Sequence, residues 1–128
     1  MTELDAQPLV LIAEDEDSVR QMVALALKAI GYQTVVFADG AAAAEAIDAG
    51  TVPDAVLLDV RMPRMNGIDL VRHIRARAET ATTPVVAMSA YSDELQAREM
   101  IDAGANAFLA KPFTIEELRA TMSAITGS

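Results

Sequence analysis

"LVLIAEDED", residues 9–17, sets five apolar residues directly against four consecutive acids. The apolar part does not alternate with polar residues, so both of its faces are covered. That is the pattern of a strand inside a parallel sheet flanked by helices. The acids that follow repel one another, and the cost rises where water is scarce. Either they face solvent or something positive belongs among them. Four further runs repeat the apolar part: "TVVF" (34–37), "AVLLDV" (55–60), "PVVAMS" (84–89) and "AFLA" (107–110), while the first extends over 8–13 as "PLVLIA". Between them lie segments of helical period. Val19, Met22, Val23, Ala26, Leu27 and Ile30 form one stripe, and Ile115, Leu118, Met122 and Ile125 another. "TIEE" (114–117) has the form of a capping box. Gly31, Gly50 and Gly104 stand where a glycine ends a helix before the next strand. Five strands alternating with five helices predict a doubly wound α/β fold, one domain over residues 1–128. "AIDAG" (46–50) and "MIDAG" (100–104) read as two similar helix ends rather than a functional repeat. The alanine-rich "GAAAAEAIDAG" (40–50) is low in relief and is expected to pack loosely.

Length and composition narrow the chemistry. At 128 residues the chain can bury a sizeable core. Its 52% hydrophobic and 23% charged content suits a soluble globular protein, not a disordered one. No apolar run approaches the roughly 18 residues a bilayer span needs, and "MTELDAQP" (1–8) lacks the basic segment of a signal peptide. The absence of cysteine excludes disulfides and thiolate metal sites. His73 is the only histidine, which disfavours zinc-hydrolase and His-paired nucleophile chemistry. A net charge of −9 disfavours nucleic acid as a direct ligand, since such binding depends on neutralising phosphates. A cation or a basic partner fits better. Arg61, Arg64, Arg72, Arg75 and Arg77 read as a solvated helix face, with His73 among them at the surface.

In a doubly wound sheet, ligands bind beyond the carboxyl ends of the strands, where the strand order switches. Polar residues at those ends are few: Glu14 and Asp15, Asp59 inside "VLLDV", Ser89 and Lys111. Each alone has a structural explanation. Glu16 and Asp17 suit a helix cap or first turn, Ser89 can simply close a strand, and Lys111 can snorkel to solvent. Asp59 resists such an explanation, because a carboxylate set in an apolar run needs a partner. Together, three acids, a hydroxyl and an ammonium share one rim. Crowded carboxylates suit a hard divalent cation, and magnesium takes oxygen ligands while keeping several waters. Such a site makes chemical sense when the last ligand is a phosphoryl oxygen, with Lys111 and Ser89 on the other oxygens. One acid is then the nucleophile of an aspartyl phosphate. Asp59, the most deeply set, is the candidate.

The motifs "LIAEDE", "AVLLDVRMPRMNGIDL", "VVAMSA" and "FLAKPF", in this order, resemble the receiver domain of two-component response regulators. The resemblance covers essentially the whole chain, and its most specific part is Asp-x-x-Met-Pro-x-Met-Asn-Gly, starting at Asp59. It implies a flavodoxin-like fold with strand order 2-1-3-4-5. It also implies Asp59 as phosphoryl acceptor, Asp15 as direct magnesium ligand, Glu14 acting through water, and the backbone carbonyl of Arg61 as a further ligand. Ser89 and Phe108 match the switch positions, Lys111 the lysine that pairs with the phosphate, and the Lys111–Pro112 bond is expected to be cis. Implied partners are a sensor histidine kinase or histidine phosphotransfer protein, and a downstream protein bound through the fourth helix, fifth strand and fifth helix. The activity implied is phosphoryl acceptance with slow self-catalysed hydrolysis, not enzyme turnover, in the cytoplasm. Because the sequence ends just after the last helical stripe, a stand-alone receiver is the expectation, with a receiver excised from a longer protein as the alternative. Departures are mild. Glu14 stands where aspartate is also common, Ser89 where threonine is frequent and Phe108 where tyrosine is frequent. Arg61 and Tyr91 fall at rim positions that influence water access.

Two rival readings exist. "DEDSV" (15–19) also fits the Asp-x-Asp signature of haloacid-dehalogenase-type phosphatases, with Asp15 as nucleophile and Asp17 as general acid. That family needs a late acidic pair at a strand end, and after Lys111 only Glu116 and Glu117 remain, on a helix. A flavin-binding flavodoxin fits less well still, because acids after the first strand would repel the cofactor phosphate.

Overall fold

The computed structural model describes residues 7–89 and 94–126. Strands β1 (Leu9–Ala13), β2 (Gln33–Phe37), β3 (Ala55–Asp59), β4 (Val85–Ser89) and β5 (Ala107–Ala110) alternate with five helices. These are α1 (Asp17–Ala29), α2 (Gly40–Asp48), α3 (Gly67–Ala76), α4 (Glu94–Ala103) and α5 (Ile115–Thr126). The strands pair in parallel in the order β2-β1-β3-β4-β5. Pro8 and Pro84, which the apolar runs include, fall just outside their strands. Lacking an N–H, each only accepts, from Gln33 and Val56 respectively.

Alternation along the strands divides the core in two. Leu11, Ala13, Val56, Leu58, Val85 and Ala87 pack with Ile47, Leu70, Ile74 and Met100, on the side of α2, α3 and α4. Val10, Ile12, Ala55, Leu57, Val86 and Met88 pack with Val23, Leu27, Leu118 and Met122, on the side of α1 and α5. β3 and β4 are buried from end to end, which is why their sequences run apolar without alternation. The two helical stripes are narrower than their periodicity suggests. Met22 and Ile115 are 46% and 53% exposed and line, with Phe113, a shallow cleft between α1 and the start of α5.

Alanine-rich α2 packs closely, contrary to expectation. Ala43, Ala44 and Ile47 are buried, and a Cβ on Gly40 would lie 2.1 Å from the Met65 carbonyl oxygen. Small side chains let the backbones approach instead of leaving gaps. Gly31, Gly50 and Gly104 all take positive φ at helix ends, so the shared Ile-Asp-Ala-Gly is a common way of stopping a helix. Thr114 and Glu117 form the reciprocal capping box. The arginines are not one solvated face. Arg61 and Arg72 are exposed, but Arg75 donates to the carbonyl oxygens of Thr80, Ala81, Thr83 and Gly104 and to Asn106 Oδ1. Arg64 pairs with Asp39 and Glu45, and Arg77 with Asp48 and Glu79. His73 is half-buried, its Nε2 2.8 Å from Asp48 Oδ1. Among the described residues no helix is long and apolar enough to cross a membrane.

Candidate functional site

Four strands end side by side, because the register pairs Ala13 with Leu58, Asp59 with Met88, and Ser89 with Ala110. Backbone hydrogen bonds carry the ladder past each strand end. Glu14 N donates to Phe37 O (3.0 Å), Val60 N to Met88 O (3.0 Å) and Lys111 N to Ser89 O (2.6 Å). Glu14, Asp59, Ser89 and Lys111 thus leave the sheet at one rim. Gly67 sets the depth of Asp59. A Cβ there would lie 2.5 Å from the Asp59 carbonyl oxygen and 2.8 Å from Val60 Cα. Only glycine lets the start of α3 press against the exit of β3, where Gly67 N donates to Val60 O at 2.8 Å. Asn66 caps α3 by accepting from Asp69 N.

Charge at the rim is crowded and poorly solvated. Glu14 is fully buried and Asp59 is 7% exposed, while Asp15 is exposed. One carboxylate oxygen from each of the three lies within 4.8 Å of the others. Lys111 Nζ donates to Glu14 Oε1 at 2.5 Å and lies 3.4 Å from Asp59 Oδ2. The second oxygen of Glu14, Oε2, accepts from Glu16 N at 3.1 Å. Burial, then repulsion by Glu14, pushes the Asp59 carboxyl up to about 7 despite the pull of Lys111. Burial opposes the charge on Lys111, but the Glu14 hydrogen bond and the Asp59 charge outweigh it and hold its ammonium above the ordinary lysine range. One ammonium faces three acids, two of them buried, and the pocket keeps an excess of negative charge.

The sequence-predicted residues fall as follows. Glu14, Asp15, Asp59 and Lys111 come together. Ser89 ends β4 beside them, buried, but its hydroxyl donates to Gln96 Oε1 on α4 at 2.7 Å. Phe108 lies on β5 opposite Ala87, half-buried against the α4-side core. Arg61 belongs to the loop leaving β3, its side chain exposed. The Lys111–Pro112 bond is cis. Tyr91 lies outside the described residues. Glu16 occupies the N-cap of α1 without a side-chain capping bond, and Asp17 pairs with Arg20. Two contributors escaped the sequence reading. Arg20 donates to the Glu14 carbonyl oxygen at 2.9 Å, and Gln96 holds Ser89. Both sit on helices, away from strand ends, where polar residues normally face solvent. In the sequence they carry no signal.

Comparison with known proteins agrees with this geometry. The family described as "Response regulator receiver domain" matches residues 10–123. Response regulator MprA of Mycobacterium sp. (strain KMS) is 35% identical over 116 residues, 91% of this chain and 49% of that protein. Regulatory protein AtoC of Escherichia coli (strain K12) is 39% identical over 109 residues, 85% of this chain and 23% of that protein. The chain therefore spans about half the length of MprA, and less of AtoC. Among solved structures, the receiver domain of sensor histidine kinase PA1611 from Pseudomonas aeruginosa PAO1 superposes with a TM-score of 0.88 at 30% identity, covering 95% of this chain and 99% of that one. That structure has a magnesium ion coordinated in the active site cleft. Chemotaxis response regulator CheY4 of Vibrio cholerae gives 0.86 at 31% identity, with 93% and 98% covered.

Proposed function

This chain belongs to the response regulator receiver domain family, and from that premise we propose that Asp59 accepts the phosphoryl group, with Lys111 and Ser89 serving its oxygens. The observation that carries the reading is the buried Asp59 carboxylate 3.4 Å from Lys111 Nζ, in a pocket it shares with Glu14 and Asp15. In the transfer, an Asp59 carboxylate oxygen bonds to the phosphorus of a phosphohistidine donor. The phosphorus–nitrogen bond breaks, and the imidazole nitrogen keeps the electron pair and takes a proton. Lys111 stands where its charge can follow the phosphoryl oxygens. The rest of the negative charge calls for a cation. Asp15, Asp59 and the Arg61 carbonyl would hold magnesium, Glu14 acting through water, and the ion would supply neutralisation that one ammonium does not. The magnesium in the PA1611 receiver supports this assignment.

A sensor histidine kinase or histidine phosphotransfer protein is the proposed donor. The proposed output is protein binding through α4, β5 and α5, where Leu95 and Ile101 of α4 are 67% and 45% exposed. The phosphatase alternative with Asp15 as nucleophile finds no support. Glu116 and Glu117 are exposed on α5, Glu117 is engaged with Thr114, and the family match is to receivers. Incubation with a small-molecule phosphodonor and magnesium is expected to add one phosphoryl group by intact mass, and Asp59→Asn to abolish the addition. Retention in Asp59→Asn with loss in Asp15→Asn would overturn the assignment.

A further inference from the structure

A serine hydroxyl has one proton, and Ser89 gives its proton to Gln96. The Oγ–Oε1 distance is 2.7 Å, with Ser89 7% exposed and Gln96 half-buried near the start of α4. In this orientation the hydroxyl can present only lone pairs to the rim, and lone pairs repel a phosphoryl oxygen. We propose that Gln96 is a positioning residue acting through Ser89: its side-chain carbonyl holds the hydroxyl turned away from the phosphoryl site, and an acyl phosphate on Asp59 must displace it to gain Ser89 as a donor. The proposal deepens the assignment of Asp59 and Ser89 above and rests on it.

The surroundings make the hydroxyl the moving part. The Ser89 backbone is fixed, since its carbonyl accepts from Lys111 N and its strand neighbour is Ala110. Rotation about χ1 is what remains. Glu14 is engaged by Lys111 and by Glu16 N, and Asp59 Oδ2 faces Lys111 Nζ, while the Ser89 proton goes to Gln96. A neutral hydrogen bond of this kind biases a two-state rotor by about 2- to 10-fold. A bond to an anionic phosphoryl oxygen is stronger, so phosphorylation wins the competition, and the start of α4 loses a tether to β4.

The test uses the full chain with magnesium and beryllofluoride, a phosphoryl mimic, and reads binding affinity. Gln96→Leu removes the competing acceptor and is expected to tighten binding by about 2- to 10-fold. Gln96→Glu offers a charged, stronger acceptor and is expected to weaken it. Both effects are expected to vanish in a Ser89→Ala background, an outcome that a purely structural role for Gln96 would not produce. A readout independent of metal and mimic is the side-chain amide NMR signal of Gln96, expected to shift on Ser89→Ala in the unliganded protein. Unchanged affinity in Gln96→Leu, or the same changes with and without Ser89, would overturn the latch while leaving Asp59 as acceptor. Failure of the parent chain to bind beryllofluoride at all would overturn the Asp59 assignment and the latch together.

Discussion

A carboxyl group that is 7% exposed beside a fully buried second carboxylate keeps its proton longer than an ordinary aspartic acid. In the unfolded chain Asp59 ionises near 3.8, and in the folded chain near 7. Across that window the folded state binds more protons, so the stability from protonated Asp59 is full below pH 3.8 and lost as pH rises through 7. Asp59→Asn carries no charge at either extreme. In metal-free buffer it is expected to be more stable than the parent at pH 8, by on the order of 2 kcal/mol, and to lose that advantage at pH 4. Melting curves at the two pH values decide the matter, and parallel pH profiles would show that Asp59 ionises normally. At this scale Asp59 was legible, because a charge interrupting "VLLDV" has no ordinary place in a buried strand. Glu14 was not distinguishable from Asp15 by sequence, although one is buried and the other exposed. Gln96 was invisible, since its partner is fixed by the fold and not by neighbouring residues.

Between elements, the closest approach to the site is that of α3 on β3. A methyl on Gly67 would meet backbone atoms of Asp59 and Val60, and these cannot give, because Val60 is bonded through its N–H to Met88 and through its carbonyl to Gly67. Gly67→Ala is expected to lower stability by about 2 kcal/mol and to slow phosphorylation by displacing Asp59. Chemical denaturation and the rate of mass gain measure the two effects; a variant as stable and as fast as the parent would show that the contact is not rigid. Strand boundaries were legible to within a residue, since strands covered on both faces leave unbroken apolar runs, and glycine marked three of the helix ends. Less legible was the packing between elements. Met22 and Ile115 keep helical period yet lie at the edge of the contact, and Arg75 abandons its expected solvent face to gather carbonyl oxygens from two loops.

For the molecule as a whole, a site drawn from β1, β3, β4 and β5 concentrates negative charge that folding must oppose. A bound divalent cation relieves that repulsion, so millimolar magnesium is expected to raise Tm, by the equivalent of about 1.4 kcal/mol at tenfold its Kd. Asp15→Asn is expected to diminish the rise. A Tm indifferent to magnesium would remove the cation from the assignment. Periodicity predicted how many strands there are, but their order came only with the family resemblance, and convergence of the acids depends on that order. The pairing of Glu14 with Lys111 joins residues 97 positions apart. A ribosome emits Asp59 long before Lys111, so a nascent chain carries the proposed acceptor without the ammonium that lies beside it in the fold. On the proposed assignment, competence to accept a phosphoryl group is deferred until synthesis has passed the last strand, and a chain truncated before Lys111 is expected to be deaf.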